Sequence, residues 1–314
     1  YEHATTLSNG RVVMMNSSRT NQFVMVSTSA PKMKLLSVNF GTAQATCTPI
    51  AVGDKLAVGL DSGQMVLVDL ASAAIVGTPY QPPVQAGQKM HWNTPVYLPS
   101  SQALIVANDV PSLVRLSTEG GLKMTNEIGL DQALIGPLVA VGDQVCAVAA
   151  TEAVDTLQFF DAMNLQKGAS WPLPGRLVSG PFASEPYASE QGCLLQTDGK
   201  LVLVSPQGQP LWTIDFPNSP LISGPLVSGT SWSLATQSGQ VWVINASDGQ
   251  VLGQANVGQP LSSPMLQLGS SLLLGSDEGA VLALPTPTEK LSNTPATSDS
   301  ATSAPDIRAS VESP

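Results

Sequence analysis

The chain has 314 residues, 43% of them hydrophobic, which is ample for a core, while only 11% are charged and 5% aromatic, so Ser, Thr, Gln and Asn must cover much of its surface. Its net charge is −10 and its 13 basic residues are scattered without a Lys/Arg run, so the footprint of phosphate-backbone binding is missing and no nucleic acid is expected as partner. No apolar run approaches the roughly 18–20 residues that cross a bilayer, and no signal peptide opens the chain. It begins at Tyr1 without Met, so we expect a targeting segment upstream and membrane association only through that segment.

From the N-terminus onward, one phrase recurs: an apolar strand, a polar turn closed by Gly, and another strand. It reads "LSNGRVVMMN" at 7–16, "VGLDSGQMVLVDLASAAIVG" at 58–77, "LLQTDGKLVLVSPQGQPLWT" at 194–213, "ATQSGQVWVINASDGQVLGQ" at 235–254 and "LLGSDEGAVLALP" at 273–285. A small residue, a Pro and an apolar residue precede each phrase from the second unit on: Thr48-Pro49-Ile50, Thr94-Pro95-Val96, Gly136-Pro137-Leu138, Gly180-Pro181-Phe182, Gly224-Pro225-Leu226 and Ser263-Pro264-Met265. The prolines are 46, 42, 44, 44 and 39 residues apart, and one further step of 44 back from Pro49 reaches Thr5. Seven units result. A period in the low forties with about four short strands per unit predicts an all-β fold, a seven-bladed β-propeller of four-stranded antiparallel blades.

In the sixth unit the predicted strands are 225–227, 231–236, 240–245 and 250–256. Strands such as "VWVIN" are apolar on both faces, as a blade sandwiched between two others requires. The seventh unit shows three strands by Leu284 and then runs into a Ser/Thr/Pro-rich stretch without periodicity. We therefore expect a propeller over 1–287 and a disordered tail or linker over 288–314. The missing fourth strand is expected from around Tyr1 to Ala4 or from residues upstream, which would seal the ring and remove an exposed edge. Cys47, Cys146 and Cys193 are odd in number and widely spaced, so they predict buried thiols rather than a disulfide framework or metal knuckle.

The phrase resembles the pyrroloquinoline-quinone-type repeat over roughly residues 5–285. In that repeat an apolar strand ends in Asp, Gly follows four residues later, and a Trp four residues after that docks the blade to its neighbour. Asp69 is kept in the second unit, with Ala73 and Gly77 at the Gly and Trp places. The third has Ser117, Gly121 and Thr125; the fifth keeps Gly208 and Trp212; the sixth has Asn245, Gly249 and Gly253. The family contains calcium- and quinone-dependent dehydrogenases. It also contains cofactor-free propellers, such as the lipoprotein of the outer-membrane β-barrel assembly machinery.

A quinone dehydrogenase would need a Ca²⁺ site of carboxylate and amide oxygens with a catalytic base, often beside adjacent cysteines. Here Asp54, Asp61, Asp143, Asp198, Asp248 and Asp277 all lie within two positions of a Gly in hairpins, where Asp commonly serves the turn. His3 and His91 are the only histidines, too few for a triad or zinc site. No cofactor, metal site or catalytic residue is expected.

Function is expected on loops that break the repeat. The 78–93 connection carries Tyr80, Met90, His91 and Trp92; 183–192 carries Tyr187; and 150–157 is an acidic interruption. Tyr and Trp are favoured at interface hot spots. Trp92 also suits inter-blade packing, because it lies shortly before a blade-opening Pro. The sequons at Asn16 and Asn245 are read as chance matches. The expected function is a non-catalytic interaction scaffold with a protein partner, in the periplasm or another extracytoplasmic part of the bacterial envelope. The alternatives are a quinone- or metal-dependent oxidoreductase domain and a ligand-sensing domain of a membrane receptor or kinase.

Overall fold

Between its polar turns the chain is rich in Val, Leu and Ile, which favour pleated strands, and each Gly-closed turn reverses it into an antiparallel neighbour. A computed structural model describes residues 3–6, 11–16, 19–27, 33–85, 87–183, 192–268 and 270–288. Among these the regular structure is almost entirely strand, with one 3-10 turn at Pro99–Ser101. No helix is long and apolar enough to cross a membrane.

The strands form seven sheets, each a meander in which consecutive strands are neighbours. Blade I comprises β1 (His3–Thr6), β2 (Arg11–Asn16), β3 (Arg19–Ser27) and β4 (Met33–Ser37). Blades II to VI repeat this plan over 50–80, 96–129, 134–172, 177–215 and 226–256, and blade VII spans 266–285 with three strands. The protein is a seven-bladed β-propeller. In blade VI the observed strands, Leu226–Ser228, Ser231–Ala235, Gln240–Asn245 and Val251–Asn256, lie within one residue of the predicted ones.

Six apolar clusters fill the six successive interfaces from I/II to VI/VII. The pleat explains how one strand serves two of them. In blade II, Leu56, Val58, Val66 and Val68 pack toward blade I, whereas Ala57, Met65 and Leu67 pack toward blade III. Successive side chains point to opposite faces, and both faces are covered.

Among the described residues the N-terminal strand does not complete blade VII. That strand, His3–Thr6, pairs with Arg11–Asn16 (His3 opposite Met15) as an edge strand of blade I's own sheet. The reason is the repeat itself: Thr5 lies one period before Pro49, so this segment fills the inner-strand place of its own unit. Among the described residues the last strand, Val281–Pro285, pairs on one side only. Its Val281 is 74% exposed. Residues 289–314 lie outside the described residues.

The repeat phrase has a definite geometry. Asp69 accepts the Ala71 and Ser72 N–H groups, Asp161 accepts those of Met163 and Asn164, and Asn245 accepts that of Ser247. Four residues on, Ala73, Leu165 and Gly249 close the turns with φ of 56°, 60° and 72°, a region that favours Gly. The Asp161–Leu165 copy is absent from the sequence reading because Leu stands where Gly is expected. The Asn245 sequon is part of this turn. As the resemblance implies, Trp212 of blade V docks on the blade VI turn. Its Nε1–H donates to the Ala246 carbonyl (2.9 Å), and a Cβ on Gly249 would stand 2.8 Å from its ring.

Candidate functional site

The connection 81–95 leads from the last strand of blade II, Ile75–Tyr80, to the first of blade III, Val96–Leu98. Met90 and Trp92 anchor it from within. They are 1% and 4% exposed and join Cys47, Met65 and Leu104 in the II/III cluster. The Trp92 ring lies on Gly59, where a Cβ would stand 2.6 Å from Cγ, and its Nε1–H donates to the Leu60 carbonyl (3.1 Å). The Trp92 backbone N–H donates to Thr46 Oγ1 (3.2 Å). Half-buried Tyr80 meets the Trp92 ring edge-on, with centroids 6.4 Å apart, and burial, with the Glu127 charge, pushes its phenol pKa up.

The register of the repeat accounts for Trp92. It bridges to Asn108 as Ala45 does to Leu60, Leu221 to Thr236 and Leu261 to Ser276. Each of these four residues is buried and stands three or four positions before a marker proline. That apolar place, also occupied by Leu134 and Leu177, is the sequence signal that identifies Trp92 as inter-blade core.

Other residues of the connection face solvent. His91 is exposed; its backbone N–H donates to an Asp109 carboxylate oxygen (2.7 Å), and the Asp109 N–H returns a bond to the His91 carbonyl (3.2 Å). Lys89 pairs with Asp61 at 2.9 Å. Burial pulls the Asp61 pKa upward, but the Gln44 N–H and Lys89 outweigh it, so the carboxyl sits below its ordinary value. The connection is thus pinned to blade II from beneath and bonded to blade III at its rim.

In each meander the connection entering the first strand and the one between the second and third strands share a face of the disc. Segments 81–95 and 150–155 therefore lie on the same face. The latter is the acidic interruption, and it forms a latch: buried Asp155 pairs with Arg176 (2.7 Å) and accepts the Leu177 N–H (2.9 Å). Arg176 also donates to the carbonyls of Thr151 and Glu152. Sequence reasoning did not find Arg176, because its partner lies 21 residues away across a blade junction. Tyr187 lies outside the described residues; the strands flanking it, Leu177–Ala183 and Cys193–Thr197, meet on the opposite face.

Four of the marker prolines share one cavity. A cavity of about 950 Å³ is lined by Thr94, Pro137, Pro181, Phe182, Pro225 and Pro264 together with neighbouring backbone, and no charged side chain lines it. Of the six turn aspartates, Asp61 accepts the Gln44 N–H (2.8 Å) and Asp248 that of Gln250 (2.9 Å). Among the described residues no group of three or more His, Cys, Asp or Glu side chains is arranged to hold a metal ion.

These features define a seven-bladed β-propeller whose repeat resembles the pyrroloquinoline-quinone type, with blade junctions latched by side chains from its loops. The family described as outer membrane protein assembly factor BamB matches residues 163–296. No curated protein matches the sequence. Among solved structures the chain is similar to BamB from Moraxella catarrhalis, with 17% identity over 90% of this chain and 84% of that one and a TM-score of 0.61. It is also similar to the computationally designed Ika8 protein, with 12% identity, 87% and 82% coverage and a TM-score of 0.63. A chain of the mitotic checkpoint complex gives 9% identity, 90% and 89% coverage and a TM-score of 0.64. At these identities the shared property is the fold.

Proposed function

We propose that the protein is a non-catalytic interaction scaffold of the bacterial cell envelope, outside the cytoplasm, and that it serves outer-membrane protein assembly by binding a protein partner through its disc-face loops. The observation that carries this reading is the match of residues 163–296 to a family described as an outer membrane protein assembly factor. The geometry supports a place for the contact. The buried side chains of Met90 and Trp92 fix the 81–95 connection, so Lys89 and His91, with the exposed part of Tyr80, are held out at little further entropic cost on binding. Tyr187, outside the described residues, belongs to a second candidate contact, the 183–192 loop.

The test is affinity capture from an envelope extract of the source organism. It compares the parent with a Lys89→Ala/His91→Ala variant, a Tyr187→Ala variant, and a Glu119→Ala control in a turn of the opposite face. An outer-membrane assembly component retained by parent and control, and lost with the double variant, supports the 81–95 site; loss with Tyr187→Ala instead moves the site to the 183–192 loop. Equal retention of that component by every variant would reject both loops, and its absence from all captures would reject the assembly role.

A further inference from the structure

Cys146 lies in the second strand of blade IV, Gln144–Ala149, and Cys193 opens the second strand of blade V, Cys193–Thr197. By repeat register Cys193 corresponds to Val145, one position before the counterpart of Cys146. That offset matters because successive side chains alternate faces. Val145 packs toward blade III, so Cys193 points back toward blade IV, while Cys146 points forward toward blade V. The two Sγ atoms meet 2.7 Å apart among Val139, Val148, Phe159 and Leu195, and both residues are 0% exposed. Cys47 is separate, in the II/III cluster. All three are free thiols.

We propose that Cys146 and Cys193 are a disulfide-forming pair that staples blade IV to blade V when the protein folds in the presence of a disulfide oxidant. This rests on the chain's own geometry and is independent of the envelope reading. The thiolate of one cysteine attacks the oxidant's S–S bond and releases one thiol. The second cysteine then attacks the mixed disulfide and releases the other. Two cysteine thiols lose two protons and two electrons in all, and the oxidant disulfide is reduced to two thiols. Burial, together with the neighbouring Cys146 thiol, holds the Cys193 pKa well above its ordinary value. Since exchange requires a thiolate and access, the reaction belongs to the stage before blades IV and V close, and the closed interface then shields the bond from reductants.

The experiment is to unfold and reduce the full chain, then refold it in a mixture of oxidised and reduced glutathione or in dithiothreitol. The glutathione product is expected to show one titratable thiol in denaturant, Cys47, and a mass about 2 Da lower, consistent with loss of two hydrogens. Trypsin cuts at Lys167 and Arg176, between the two cysteines, so the linked peptides are separable only after reduction. Cys47→Ala should keep the link with no thiol left, and the linked protein should melt roughly 5 °C above the reduced one. Native circular dichroism with three titratable thiols after oxidative refolding would overturn the proposal, as would a link through Cys47. Cys193→Ser, or Cys193→Val where the Ser variant does not fold, provides the unlinked reference, and the parent's thiol count decides where neither folds.

Discussion

Trp92→Ala separates an anchor of the 81–95 connection from a contact residue. The side chain is buried, its ring covers Gly59, and its indole N–H is bonded to Leu60. Truncating a buried aromatic to Ala costs about 3–5 kcal/mol, and the β-strand backbone beneath cannot move in to fill the space, so we expect about 4 kcal/mol. Trp92→Phe keeps most of the packing and loses the indole bond to the Leu60 carbonyl, which keeps the Gly63 N–H (2.9 Å), for a cost of about 1 kcal/mol. Gly59→Ala would place a methyl 2.6 Å from Trp92 Cγ, an overpacking worth about 1–3 kcal/mol. In the Trp92→Ala background the Cγ and Cδ1 contacts are gone and only the Cβ approach of 2.8 Å remains, so the clash is reduced and the two substitutions should couple by about 1 kcal/mol. Urea unfolding of the parent, both single variants and the double variant, followed by far-ultraviolet circular dichroism, reads these energies without relying on tryptophan emission. A cost below about 1 kcal/mol for Trp92→Ala, or strict additivity in the cycle, would refute the anchoring.

Arg176→Ala should cost about 2 kcal/mol in the same assay, less than a fully buried pair because the guanidinium is half exposed and Asp155 keeps the Leu177 N–H. Converting Asp155 to Asn in that background should recover part of the loss, and no recovery would mean that the cost comes from packing. Asp61 has its pKa lowered on folding, so its contribution is fully present above about pH 4 and disappears as pH falls through the lowered folded value. The parent should therefore lose more stability between pH 6 and about pH 2.5 than Asp61→Asn; parallel loss would contradict the sign. At the turn positions, Ala73→Gly should gain up to about 1 kcal/mol by relieving a positive φ. Gly249→Ala should lose more than that, because its Cβ also meets the Trp212 ring; thermal unfolding compares the two.

Much of the fold was legible because a repeat states its register many times over. The marker prolines give the period, the Gly-closed turns place the hairpins to within a residue in blade VI, and strands apolar on both faces require neighbours on both sides. The same register contains the role of Trp92, since three or four residues before each marker stands an apolar residue that packs under the next hairpin. Tyr80 and His91 are less legible, because nothing local distinguishes an aromatic resting on another ring from one that projects freely.

By itself, then, the sequence determined the blade count, the strand plan and the alternation of each strand between two interfaces, all of which follow from local propensity and period. The tertiary structure decided what depends on contacts between units. It put Asp155 against Arg176 and Trp212 on the Gly249 turn, and it kept the N-terminal strand in blade I. It also brought together Cys146 and Cys193, 47 residues apart and on opposite faces of their strands, because closing one blade on the next turns those two faces toward each other.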